Sequence, residues 1–121
     1  MRDFRKLTIW KDSMAIVNLV YRFSDFLPST EKYGLRSQIC RASVSIPSNI
    51  AEGCSRTSQI DFKRFLEIAL GSSFELETQL LIIQDLNLFG SNNNEFDLII
   101  NQINTLQKRI NSLINKIKSN S

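Results

Sequence analysis

The chain has no histidine among its 121 residues. That removes the side chain that changes charge most readily near neutral pH, and with it any Ser–His or Cys–His nucleophile system. It also removes the Glu-x-x-His pairs that hold di-iron centres in helical bundles. Cysteine is limited to Cys40 and Cys54. If one helix carries both, their rise along the axis separates them by roughly 20 Å, too far to bridge. Two thiolates also fall short of a four-ligand zinc site. The four glycines fit neither a P-loop nor a dinucleotide fingerprint. No apolar run approaches the length needed to span a bilayer, and MRDFRKL at the start leads into no continuous apolar region. The expectation is a cytoplasmic protein with no signal peptide, no membrane segment, no cofactor and no catalytic residues. Glu52, Glu67 and Glu75 are the carboxylates that a buried acid would have to be drawn from, and each reads more simply as a capping or solvated group.

With only four Gly and two Pro, the chain keeps long periodic segments that suit helices rather than short strands. Its length fits one domain, residues 1–121, able to bury a core without staples. Four amphipathic stretches are separated by short turns. The first spans about residues 8–26, with Trp10, Met14, Val17 and Tyr21 marking the core face and Ile9, Ile16, Val20, Phe23 and Leu27 widening it. Pro28 closes it. The second spans about residues 31–52, capped by the Ser29-Thr30 hydroxyls, with Gly53 expected in the left-handed position past its end. The third spans about residues 59–86, opened by Ser58 and Asp61 as a capping box, and carries Phe62, Phe65, Leu66, Ala69, Ser73, Leu76, Leu80 and Ile83 as its core stripe. The fourth spans about residues 93–117, with Asn92 and Glu95 as a second capping box and one clean stripe from Phe96 to Ile117. Short connections force antiparallel neighbours, so the expected fold is all-α, an up-down-up-down four-helix bundle.

The second helix has three faces. Leu35, Ile39, Ala42, Ile46 and Ile50 form its core stripe, and Gln38, Arg41, Ser45, Ser48, Asn49 and Glu52 a polar one. Cys40, Val44, Pro47 and Ala51 form a third, apolar face; on the third helix Leu70, Phe74 and Leu81 flank the core stripe. This surplus of apolar surface on a chain of this size points to self-association through those seven residues.

Net charge is only +3, but the basic residues fall in groups. Arg36 and Arg41 lie on the second helix, Arg56 in the loop after it, and Lys63 and Arg64 at the start of the third. Arginine and lysine together hold phosphates by charge and forked hydrogen bonds, which makes these five the candidate nucleic-acid contacts. Lys108, Arg109, Lys116 and Lys118 give the fourth helix a basic end of its own.

The run GLRSQICRASVSIPSNIAEGCSR, followed by FKRFLEIALGSSFELETQL, resembles the bacterial four-helix-bundle proteins encoded by intervening sequences within 23S ribosomal RNA genes. Leu7, Trp10 and Tyr33-Gly34-Leu35 add to the likeness, which covers about residues 4–90; Ser45 to Gly53 is its most specific element. The resemblance implies a ring-like homo-oligomer, with a homopentamer as the first expectation, and no enzymatic activity. It is also similar to the accessory variability protein of diversity-generating retroelements, which implies a reverse transcriptase partner and RNA or DNA binding through a basic surface. Where the family commonly has two adjacent basic residues before the alanine of the second helix, this chain has Cys40-Arg41. Three functional classes follow: an oligomeric nucleic-acid-binding accessory protein, a protein–protein adaptor with no nucleic-acid role, and, last because the sequence offers it no site, an enzyme.

Overall fold

A computed structural model describes residues 2–120. A 3₁₀ turn at Phe4–Lys6 leads into α1 (Thr8–Ser24), and a second at Ser29–Glu31 precedes α2 (Leu35–Cys54). Helices α3 (Gln59–Asp85) and α4 (Asn93–Ser119) complete the fold, with no strand among the described residues. Each helix packs on its sequence neighbour and α4 closes back on α1, whereas α1 and α3 make no close backbone approach, nor do α2 and α4. The bundle is therefore a square with the cyclic order α1–α2–α3–α4. Polar contacts show the antiparallel register: Ser45 to Ser72 and Gln38 to Gln79 across α2 and α3, Gln107 to Glu77 across α4 and α3, and Arg109 to Asp12 across α4 and α1.

Ile16, Val20, Ile39, Ile46, Ile50, Leu66, Leu76, Leu80, Ile103 and Leu106 are wholly enclosed between the four helices. Phe23, Phe89 and Phe96 fill one end of this core, with ring centroids 5.0 to 6.1 Å apart. Four serines are also buried: Ser13, Ser24, Ser43 and Ser73. Each hydroxyl donates to the carbonyl three residues earlier on its own helix, so none of the four is left unpaired and a small residue sits at each of these positions.

Several local expectations need correction. On α1, Met14 and Tyr21 are exposed and Trp10 and Val17 only half-buried, while Ile9, Ile16, Val20 and Phe23 carry the core. Two apolar stripes lie side by side on this helix, and the one centred on Ile16 points between α2 and α4. Helix α2 begins at Leu35 rather than near residue 31, because the backbone leaves the helical path at Gly34 (ψ −115°). Its first-turn amide, Leu35 N–H, is accepted by the Glu31 carboxylate at 3.2 Å, not by a Ser29 or Thr30 hydroxyl. The Ser58 cap on α3 forms as expected, accepting from Asp61 N–H at 3.1 Å. Asn92 does not cap α4; its side-chain amide donates to the Phe89 carbonyl instead.

Gly53 is the most informative correction. Helix α2 continues through it to Cys54, and Gly53 is helical rather than left-handed. It is needed for space: a Cβ there would lie 2.8 Å from Phe65 Cβ and 3.2 Å from the Phe62 ring. Gly71, by contrast, faces no atom within 4 Å. In urea titrations Gly53→Ala should destabilise by about 1–3 kcal/mol, because α2 and α3 must part. Gly71→Ala should be neutral or stabilising by up to about 1 kcal/mol, through better helix propensity alone.

Candidate nucleic-acid interface

Antiparallel packing brings four chain segments to one end of the bundle: the N-terminal 3₁₀ turn, the α2–α3 loop, the first turns of α3 and the last turns of α4. Arg2 ties the first two together. Its N–H donates to the Cys54 carbonyl at 3.2 Å, its guanidinium to the Arg56 carbonyl at 3.4 Å, and the same guanidinium lies 4.0 Å above the Phe62 ring. Arg56 rests in the same way on Phe65, at 4.8 Å, while pairing with Glu52 at 3.4 Å. A guanidinium seated over an aromatic ring is partly ordered already, so part of the ordering cost of binding a phosphate is met beforehand. Arg5 lies 4.6 Å over Phe4, which packs edge-on to Trp10. Arg64 pairs with Asp61 at 2.6 Å, one helical turn away, rather than with Glu67. Exposed pairs of this kind are weak and exchange readily for another anion.

Of the five predicted contacts, the structure brings Arg56, Lys63 and Arg64 together. Arg36 sits about 30 Å away along α2, at the opposite end, paired with Asp25 at 3.2 Å in a groove shared with Tyr21, Tyr33 and Cys40. Arg41 lines a separate cleft between α2 and α3. Arg2, Arg5 and Lys6 were not singled out from the sequence, although three cations within MRDFRKL were a visible signal. The register of Arg109 against Asp12 and of Gln107 against Glu77 carries the last turn of α4, with Lys116 and Lys118, to the same end. Charge is thus polarised along the bundle. This end holds eight cations, with Asp3, Glu52 and Asp61 as its acids, whereas the other holds Arg22, Lys32 and Arg36 among Asp25, Glu31, Asp85, Glu95 and Asp97.

The seven residues expected at an oligomer interface divide between two faces. Cys40, Val44, Pro47 and Ala51 lie toward α1; Val44 is exposed, Cys40 and Ala51 are half-buried, and Pro47 is already buried within the protomer. Together with Trp10, Met14 and Val17, the last three of these four line an apolar groove of about 320 Å³ between α1 and α2. Leu70 and Phe74 border a groove between α3 and α4, on the opposite side of the square, and Leu81 is exposed two turns further along. Ile60, Ile68 and Ile82 on α3 and Leu86 just past its end add further apolar surface, with Ile60 at 68% exposure.

No group of three or more His, Cys, Asp or Glu side chains is placed to hold a metal ion among the described residues. Nor is any described helix long and apolar enough to cross a membrane. Glu52 is an exposed partner of Arg56 rather than a buried acid. Burial pushes both thiols above the ordinary cysteine value; at Cys40 the Ser24 hydroxyl and the Arg36 charge offset part of the rise, and at Cys54 the Arg2 charge does. A raised value favours the neutral thiol in the folded state. The associated stability is therefore fully present below the unfolded thiol pKa and is lost as pH rises through the folded one. Urea midpoints should accordingly fall on the alkaline side of 9.0, and the fall should be shallower in the Cys40→Ala, Cys54→Ala double variant.

Fold and surface together define a helical-bundle protein with a polarised charge distribution. Residues 5–112 match the family described as 23S rRNA-intervening sequence protein, and the chain belongs to that family. A solved structure from Bacteroides thetaiotaomicron, described as a protein with unknown function from the S23 ribosomal protein family, is similar at 26% identity. It aligns with a TM-score of 0.76 over 88% of this chain and 98% of its own. No curated protein matches the chain.

Proposed function

We propose that this protein is a non-enzymatic, oligomeric accessory protein whose basic end binds RNA or DNA through phosphates, weakly and without base readout. The observation that carries this reading is the gathering of cations from four chain segments at one end, with Arg2 and Arg56 placed over the rings of Phe62 and Phe65. Each protomer offers few phosphate contacts, so useful affinity depends on repeating the end through assembly. The two apolar grooves lie on opposite faces of the square bundle, which is the arrangement a head-to-tail contact needs, and such contacts close into rings when the rotation permits. A homopentamer fits that scheme and the family resemblance. A ribosomal RNA or a reverse transcriptase with its template is the kind of partner this surface would serve.

The adaptor reading has one observation in its favour. Helix α3 exposes Ile60, Ile68, Phe74, Leu81 and Ile82, with Leu86 just past its end, more apolar surface than a phosphate-binding role requires.

Gel-shift titrations at two salt concentrations separate the readings. With four phosphates neutralised per bound face, affinity for structured RNA or duplex DNA should fall about 100-fold between 50 and 200 mM salt. The double variant Arg56→Glu, Lys63→Glu should abolish retention while leaving the oligomer intact by light scattering. Val44→Glu should weaken retention by a different route, shrinking the assembly while helicity persists, because it places an unpaired charge in an apolar contact. If wild-type protein shows no retention at low salt, the adaptor reading stands instead. If light scattering gives a mass of 13.9 kDa at micromolar concentration, self-association is refuted.

A further inference from the structure

The α2–α3 seam contains a cleft of about 320 Å³ that neither the basic end nor the apolar grooves account for. Its α2 wall carries Arg41 and its α3 wall Glu75. The flanking pairs Gln38 to Gln79 and Ser45 to Ser72 set the register, so Arg41 and Glu75 face each other at one level. Among the described residues, neither has a hydrogen-bond or ion-pair partner, although each opposes a charge of the other sign. Gln79 lines the cleft beside them. Its amide nitrogen donates to Gln38 Oε1 at 3.4 Å, but its own Oε1 is buried and accepts nothing. A buried acceptor without a donor is costly, and native structures rarely keep one without a reason. Ser45 is already satisfied through Ser72 and Asn49, and buried Ala42 supplies an apolar patch beside these groups.

An occupant that completes the cleft must bring two adjacent donors to the Glu75 carboxylate and an acceptor to Arg41. Among the nucleobases only guanine is built that way, with N1–H and the N2 amine side by side and O6 and N7 as acceptors on the neighbouring edge. Adenine and cytosine place a ring acceptor beside their amine, and uracil flanks its single N–H with carbonyls, so each would set a lone pair against the carboxylate. We infer that this cleft is a guanine-binding site for unpaired nucleotides. The edge that it reads is the Watson–Crick edge, which is free only in single strands, loops or ends. Its volume lies at the lower bound of small-molecule sites, which run from about 300 to 1,000 Å³. The seam runs along α2 and α3 toward Arg56 and Arg64, about 15–25 Å away by helical rise, so a strand held by its phosphates at the basic end must extend that far to place a base in the cleft. The inference rests on the nucleic-acid reading and adds base preference to it.

Calorimetric titration of the full chain with guanosine monophosphate and with adenosine monophosphate tests the cleft without the basic end. Guanosine monophosphate should bind about tenfold or more tightly than the adenosine nucleotide, the discrimination expected of a bidentate contact. Glu75→Gln should remove that preference, and Arg41→Met should weaken guanosine monophosphate binding; both side chains are exposed, so circular dichroism should not change. The Arg56→Glu, Lys63→Glu variant should keep the preference while losing duplex retention, which separates failure of this inference from failure of the phosphate-binding reading. Equal affinity for the two nucleotides, no heat at millimolar guanosine monophosphate, or a preference unchanged by Glu75→Gln would overturn it.

Discussion

The close approach of α2 and α3 is the constraint on which the rest of the molecule depends. Gly53 lets the end of α2 lie against Phe62 and Phe65, and the Ser45–Ser72 hydrogen bond, 2.8 Å between oxygens, ties the helices further along. That packing puts Phe62 under Arg2 and Phe65 under Arg56. It also sets the register that brings Arg41 level with Glu75. Parting the helices would cost more than core contacts, because the aromatic faces that orient the arginines belong to the same joint.

The polarity of charge along the bundle follows from topology. In an up-down-up-down bundle the start of α1, the end of α2, the start of α3 and the end of α4 must share one end. Each of these segments is only modestly basic, and the net charge of +3 conceals their sum, because the acids Asp85, Glu95 and Asp97 lie at the far end. Cations in the last turns of α4 also meet the negative end of that helix dipole, so local helix stability and the collective field favour the same placement.

Apolar surface is distributed by a different rule. Helix α4 buries one clean stripe and turns Asn, Gln and Lys outward, whereas α3 exposes Ile60, Ile68, Phe74, Leu81 and Ile82 beside its buried stripe, and that asymmetry marks α3 as the helix with surface left to cover. The small buried serines work with this pattern. Each satisfies itself on its own helix, which keeps the core dry at its helix contacts without asking a neighbour for a partner.

Periodicity alone determined that there would be four helices, and it located α3 and α4 within two residues at each end, because a 3.6-residue stripe and an absence of breakers leave little choice. It also determined the core of α3 and α4, where a single stripe is apolar. It could not choose between the two adjacent stripes on α1, since Trp10, Met14, Val17 and Tyr21 are as apolar as Ile9, Ile16, Val20 and Phe23 and only the positions of α2 and α4 decide which is enclosed. Gly53 was misread for a related reason: a glycine near a helix end fits a left-handed cap in the sequence, and only the ring of Phe62 and the Cβ of Phe65 show that it is there for space. Of the five basic residues picked out, the three joined by a short loop stayed together, because sequence proximity guarantees it. Arg36 and Arg41 separated from them because a helix spreads its residues along an axis. Arg2 and the end of α4 joined the group because antiparallel packing brings distant segments to one end.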